Sequence, residues 1–186
     1  MFQHEKMSHP ADPKAKHLEI LQELVDEAKI FFSSRIIVGD KPQLVVLDID
    51  GTALDDSSRM VDVPQFYAPF QPILDLYEFL LDHEYHIVFL TGRQEAHRDT
   101  TQKNLKHVGY GRYDSLLMVP DDGYSRLGVP EIGNWKDLQR CQLKEIHNYH
   151  LVACVGDQDM DTRGEHIGEY QLRLPPPPFF QNCIIQ

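Results

Sequence analysis

The sequence predicts an α/β fold, a mostly parallel sheet covered by helices on both faces, and three observations carry that expectation. Short apolar runs (Leu44–Leu47, His86–Leu90, Ser115–Val119 and His150–Val155) alternate with segments of helical periodicity. These runs are too continuously apolar for strands with one solvated face, so both faces must be covered. Three of them end directly in clusters of polar residues, as strands do at the ligand-binding carboxyl edge of such a sheet.

Taken in order, residues 1–13 read as a flexible arm, and residues 14–186 as a single domain large enough to bury a core. From Lys14 to about Phe32, Leu18, Leu21, Val25, Ala28 and Phe32 fall on one stripe, which predicts an amphipathic helix packed on the sheet. Gly39-Asp40-Lys41-Pro42 then turns the chain into the first strand. Residues 53–72 are irregular, with several prolines and the aromatics Phe66, Tyr67 and Phe70. A loop of this length suggests a substrate-proximal segment. Pro72 opens a helix over Ile73–Asp82. A polar helix is expected from Gln94 to His107, closed by Gly109, and another from Trp135 to Asn148. A last strand lies near Tyr170–Leu174, and the proline run of residues 175–178 begins an extended C-terminal strap through residue 186.

A formal net charge of −11, from 29 acidic and 18 basic residues, argues against a surface that tracks nucleic-acid phosphates and against adhesion to anionic membranes. No run of about 18 apolar residues is present, so no membrane span is expected. Three widely spaced cysteines, Cys141, Cys154 and Cys183, form no C-x-x-C pair. They read as thiols in a reducing compartment, which predicts a cytoplasmic protein, with a processed exported form as the alternative.

The chemistry concentrates at the strand ends. Asp48 and Asp50 follow the first strand, with Gly51-Thr52 able to turn the chain sharply. Thr91-Gly92-Arg93 follows the second, and Gly156-Asp157 through Asp161 follows the fourth. All three sets should meet at one sheet edge. A group of carboxylates suits a hard cation with oxygen ligands, and Mg²⁺ fits because it shares its shell with waters and substrate phosphate. Thr91 offers a hydroxyl to a phosphate oxygen and Arg93 a planar fork. Arg93 has a structural alternative, pairing with Asp157 or Asp161, and Asp159 reads as exposed loop.

Asp48-x-Asp50-Gly51-Thr52, Thr91-Gly92-Arg93, a downstream lysine and Gly156-Asp157-x-x-x-Asp161 resemble the four ordered motifs of the haloacid dehalogenase-like (HAD) phosphohydrolases. The resemblance continues through Arg98, Asn104-Leu105, Gly109-Tyr110, Trp135-Lys136-x-x-x-Arg140 and Leu172-Arg173-Leu174-Pro175. In that extent the chain is similar to the acid phosphatase branch, which includes class B-type acid phosphatases and vegetative storage proteins. The resemblance implies a three-layer α/β/α Rossmann-like core without a large cap domain. It implies Mg²⁺-dependent hydrolysis of a small-molecule phosphomonoester through an aspartyl-phosphate. Asp48 would be the nucleophile and Asp50 the acid/base. Thr91, Gly92, Arg93 and Lys136 would bind phosphate, with Lys144 the competing lysine. Asp48, Asp50 (through its backbone carbonyl), Asp157 and Asp161 would hold the metal. The loop aromatics make nucleoside monophosphates candidate substrates. A non-catalytic storage or phospholigand-binding protein is the alternative, and the presence of Asp48 argues against it.

Overall fold

The computed structural model describes residues 12–36, 39–56, 67–121 and 129–178. Its centre is strand β1 (Gln43–Leu47), buried at every position. Four further strands complete an all-parallel sheet: β2 (His86–Gln94), β3 (Ser115–Val119), β4 (His150–Gly156) and β5 (Tyr170–Arg173), in the order β3-β2-β1-β4-β5. The chain therefore builds outward from β1 to β2 and β3, then returns to lay β4 and β5 on the other side. The crevice between β1 and β4 is the point where strand order reverses, and it is there that ligands bind in open α/β sheets.

Period-two alternation divides β1 between two cores. Val45 and Leu47 belong to the cluster that includes helices α1 (Pro13–Ser34), α2 (Gln71–Asp82) and α3 (Arg98–His107). Leu44 and Val46 face the opposite way, onto Trp135 and Leu143 of helix α4 (Val129–Glu145). The result is the expected α/β/α arrangement. Asp12 caps α1 by accepting a hydrogen bond from the Lys14 amide at 3.1 Å, and Pro13 occupies the first turn, where its missing N–H costs nothing. The buried stripe of α1 is His17, Leu21, Val25, Ala28 and Phe32, and the helix packs alongside α2. At its C-terminal end Phe31 stacks on Tyr170 with ring centroids 4.6 Å apart.

Several boundaries differ from the sequence expectation for local reasons. β2 continues through Thr91, Gly92 and Arg93 to Gln94, pairing Gln94 with Val119 after an irregularity, and a short 3₁₀ turn at Glu95–His97 precedes α3. The polar residues at the end of β2 disguise it as loop. Helix α4 begins at Val129 rather than Trp135, because Pro130 is tolerated in a first turn while Gly133 and Asn134 are weak helix formers that hide the start. It ends at Glu145, and Asn148 turns the chain with a left-handed φ of 58°. A one-turn helix, α5 (Asp159–Thr162), follows β4 and was too short to show periodicity. Residues 1–11 of the expected arm, residues 57–66 of the 53–72 loop (Phe66 among them), and Phe179, Phe180 and Cys183 lie outside the described residues. Among the described residues no helix is long and apolar enough to cross a membrane.

Candidate active site

Asp48 and Asp157 emerge from neighbouring central strands at the topological switch point. The Asp48 amide donates to the Val155 carbonyl at 3.0 Å, so the β1–β4 pairing continues to the edge of the site. Thr52 Oγ1 accepts from the Asp157 amide at 3.0 Å, which joins the turn after β1 to the end of β4. Gly51 makes that turn with φ +72°, and a Cβ there would stand 2.6 Å from Asp157 Oδ2. At Gly156 a Cβ would lie 2.2 Å from Asp161 Cβ. Both glycines are thus required by the close approach of carboxylate-bearing residues.

Asp48, Asp157 and Asp161 are all buried, and each brings a carboxylate oxygen to within 4.8 Å of the others. Lys136 reaches them from α4: its ammonium donates to Asp48 Oδ1 at 2.7 Å and to Asp161 Oδ1 at 2.5 Å, and its side chain is only 3% exposed. Asp161 Oδ2 accepts from the Gln158 amide at 2.9 Å, and the Gln158 side chain completes a reciprocal cap at the start of α5. Burial, reinforced by the Asp161 charge, pushes the Asp48 carboxyl well above its ordinary range despite Lys136. Burial and the neighbouring Asp161 and Asp56 push Asp157 up to about 7. Desolvation works against the Lys136 charge, but Asp48 and Asp161 outweigh it and raise the pKa of the ammonium.

On the other side of Asp48, Arg93 grips Asp50 with both arms of its fork, Nε to Oδ2 at 2.8 Å and Nη2 to Oδ1 at 2.7 Å. Its remaining arm donates to Thr101 Oγ1 of α3 at 3.1 Å, and its amide donates to Thr91 Oγ1 at 3.1 Å. The Tyr67 ring covers the guanidinium at 5.6 Å. Tyr67 is itself fixed by buried Asn104, which accepts from its amide at 2.8 Å and donates to its carbonyl at 2.9 Å. Asp48, Asp50, Thr91, Gly92, Arg93 and Lys136 line one cleft of about 250 Å³, with Gln158, Ile132 and Met160.

All the carboxylates, the Thr91-Gly92-Arg93 segment and Lys136 therefore converge as the sequence suggested. The lysine at the carboxylates is Lys136; Lys144 lies in the last turn of α4, beside Lys41 and Glu169. Arg93 pairs with Asp50, not with Asp157 or Asp161. Asp159 is exposed and pairs with Arg163 and Arg173. Sequence reasoning missed Thr101, which with Asn104 forms the polar inward face of α3, and the parts played by Asn104, Thr52 and Gln158. The i, i+3 spacing of Gln158 and Asp161 was the available signal for the cap.

The donor set fits a divalent cation. Of the three buried carboxylates, Asp48 and Asp161 share the Lys136 ammonium, and Asp157 Oδ1 is buried without a hydrogen-bond partner. A buried carboxylate oxygen left so is costly unless a cation or water satisfies it. Oxygen donors of this kind suit a hard ion.

A model of the HAD superfamily, subfamily IIIB (acid phosphatase), matches residues 64–181, more than half of the chain. Thr91, Arg93, Lys136, Asp157 and Asp161 fall inside that span, whereas Asp48 and Asp50 precede it. The stem 28 kDa glycoprotein of Glycine max is 28% identical over 174 residues, 84% of this chain and 66% of that protein. Acid phosphatase 1 of Solanum lycopersicum is 27% identical over 107 residues, 58% of this chain and 40% of that protein. The chain thus spans less than two thirds of the length of the curated relatives that it matches. Among solved structures, the class C acid phosphatase from Bacillus anthracis superposes with a TM-score of 0.66 at 16% identity, covering 87% of this chain and 78% of that one, which shows a shared fold. With its parallel sheet, its motifs at one edge and the family match, this chain belongs to the HAD superfamily, subfamily IIIB.

Proposed function

We propose that the protein is a phosphatase that hydrolyses small-molecule phosphomonoesters, with Asp48 as nucleophile and Asp50 as acid/base. The observation that carries this reading is Lys136 bridging Asp48 and Asp161 beside the unpartnered oxygen of Asp157. An Asp48 oxygen attacks phosphorus, the bond from phosphorus to the leaving oxygen breaks, and Asp50 delivers a proton to that oxygen. Asp50 then takes a proton from the water that cleaves the aspartyl-phosphate, restoring Asp48 and releasing phosphate. Lys136, Thr91 and the Gly92 backbone hold the phosphoryl oxygens where negative charge must be tolerated, while Arg93, with its fork on Asp50, orients the acid/base. Asp48, Asp157, Asp161 and the Asp50 carbonyl would hold Mg²⁺. When bound, the ion offsets the repulsion between the carboxylates and a phosphate dianion.

The test is hydrolysis of a chromogenic aryl phosphate with Mg²⁺ and with chelator. Activity that requires the metal is expected, and a folded, Mg²⁺-loaded protein inert to aryl, sugar and nucleoside phosphates would overturn the reading. Nucleoside monophosphates belong to the proposed substrate class. In this geometry, however, Tyr67 is engaged with the Arg93 guanidinium and acts on any substrate through it. Tyr67→Ala is accordingly expected to raise KM for an aryl phosphate and for a nucleotide by the same factor, about 3- to 10-fold, the range of an exposed to partly desolvated cation–π contact. A rise confined to nucleotides would instead indicate direct stacking on the base.

A further inference from the structure

Arg140 is the largest fully buried side chain among the described residues. Its guanidinium donates to four backbone carbonyls: Met160 at 3.0 Å and Asp161 at 3.3 Å from Nη1, Arg163 at 2.9 Å from Nη2, and His166 at 3.0 Å from Nε. Nη2 also donates to Asp137 Oδ1 at 3.0 Å, and the same Asp137 oxygen accepts from the His166 amide. Gly164, at φ +135°, brings its backbone so close that a Cβ would stand 2.3 Å from Asp137 Oδ1 and 3.1 Å from Arg140 Nη2. Every carbonyl in this set belongs to residues 160–166, the segment that presents Asp161 to the cleft.

We propose that Arg140 is a positioning residue that fixes Asp161 for cation binding, gripping its backbone while Lys136, one turn earlier on α4, grips its carboxylate. The inference rests on the metal reading of the site. A helix of one turn cannot hold its own place, because its terminal carbonyls find no partners within it. Arg140 supplies those partners from a rigid neighbour, and its fork reaches several carbonyls at once where a lysine would reach fewer. Stability alone is a weak reason for this arrangement, since a buried charge is often no better for folding than an apolar group of similar volume. Its effect is on geometry. Asp161 is set by Arg140 at the backbone, by Lys136 and the Gln158 amide at the two carboxylate oxygens, and by Gly156 at Cβ. With the backbone anchor removed, the carboxylate no longer has a fixed place relative to Asp48 and Asp157. Groups that orient metal ligands in this way typically change affinity by about 10- to 100-fold.

The test compares wild type, Arg140→Met, Arg140→Lys and a control, Leu143→Ala, which removes core packing from the same helix. Backbone hydrogen exchange is followed on the metal-free proteins, and Mg²⁺ and Mn²⁺ binding by calorimetric titration. Arg140→Met is expected to lose protection over residues 158–166 while β1 and β4 stay protected, and to bind Mg²⁺ about 10- to 100-fold more weakly. Adding Asp161→Asn to that variant should weaken binding little further, although Asp161→Asn alone weakens it in the wild type. Leu143→Ala should lower Tm and leave metal affinity unchanged. Should Arg140→Met fail to fold, Arg140→Lys carries the test with a smaller loss in both readouts. Wild-type affinity in the folded arginine variants, or an equal loss in Leu143→Ala, overturns the positioning role. A wild-type protein that binds neither ion overturns the metal reading itself and this inference with it, and shows in the first titration.

Discussion

Asp48→Asn is expected to abolish phosphate-ester turnover, lowering kcat on the order of 10⁴-fold or more as loss of a covalent nucleophile does, while the metal-free protein remains at least as stable as wild type. The two halves of this result have one cause. Asp48 is buried beside Asp161, and its carboxyl is pushed well above the ordinary range, so carrying it ionised at neutral pH opposes folding. Asparagine has the same shape without the charge, and its carbonyl oxygen can still accept from the Lys136 ammonium now bonded to Asp48 Oδ1. Turnover and thermal unfolding in chelator, measured on the same preparation at pH 7.5, check both. Retained activity would move the nucleophile elsewhere. Lost activity with a large fall in Tm would make Asp48 a structural partner of Lys136. Activity and stability moving in opposite directions is the pattern of a site whose strain is maintained for chemistry.

The carboxylates were legible in the sequence because chemistry and topology coincide there. An apolar run ending in Asp48-x-Asp50 declares both a strand and the side of the sheet on which its end must lie. The same logic located Asp157 and Thr91. What it could not supply was pairing, because side-chain partners depend on which helix passes over the strand ends. Arg93 therefore had several carboxylates in reach of argument, and only the position of α3, with Thr101 behind the guanidinium, turns it onto Asp50. Lys136 was the expected phosphate-binding lysine, with Lys144 its competitor on a helix read as starting at Trp135. The packing of Trp135 and Leu143 against the sheet sets the rotation of α4, and with it Lys136 lines the cleft. Arg140 stood in the motif that carried the resemblance, but the part it plays was hidden more thoroughly. The acceptors of a buried arginine satisfied mainly by backbone carbonyls cannot be read from the sequence, since those carbonyls belong to residues whose identity hardly matters.

Lys136→Met is expected to destabilise the metal-free protein by about 3–5 kcal/mol at pH 8, the usual consequence of removing one partner from a buried charge cluster. Methionine fills a similar volume, so lost packing contributes little. What remains is Asp48, Asp157 and Asp161 with no ammonium between them. The pH dependence follows from the direction in which these groups are shifted. A carboxyl whose folded pKa lies above its unfolded value of about 4 takes up protons on folding, so its contribution to stability is fully present below pH 4 and lost as pH rises through the folded pKa. For Asp157 that folded value is about 7, placing the loss between roughly pH 4 and 7 in the wild type. Without Lys136 the carboxyls shift further up, so the deficit of the variant should be largest at pH 8 and shrink towards pH 5, where protons take over the compensation. Mg²⁺ should restore part of the stability at pH 8 and little at pH 5, because ion and protons compete for the same oxygens. Denaturant titrations in chelator and in Mg²⁺ across that range measure all of this. A variant as stable as wild type at pH 8 in chelator would show that the carboxylates are already neutral there, and would remove the charge balance on which the reading of Lys136 depends.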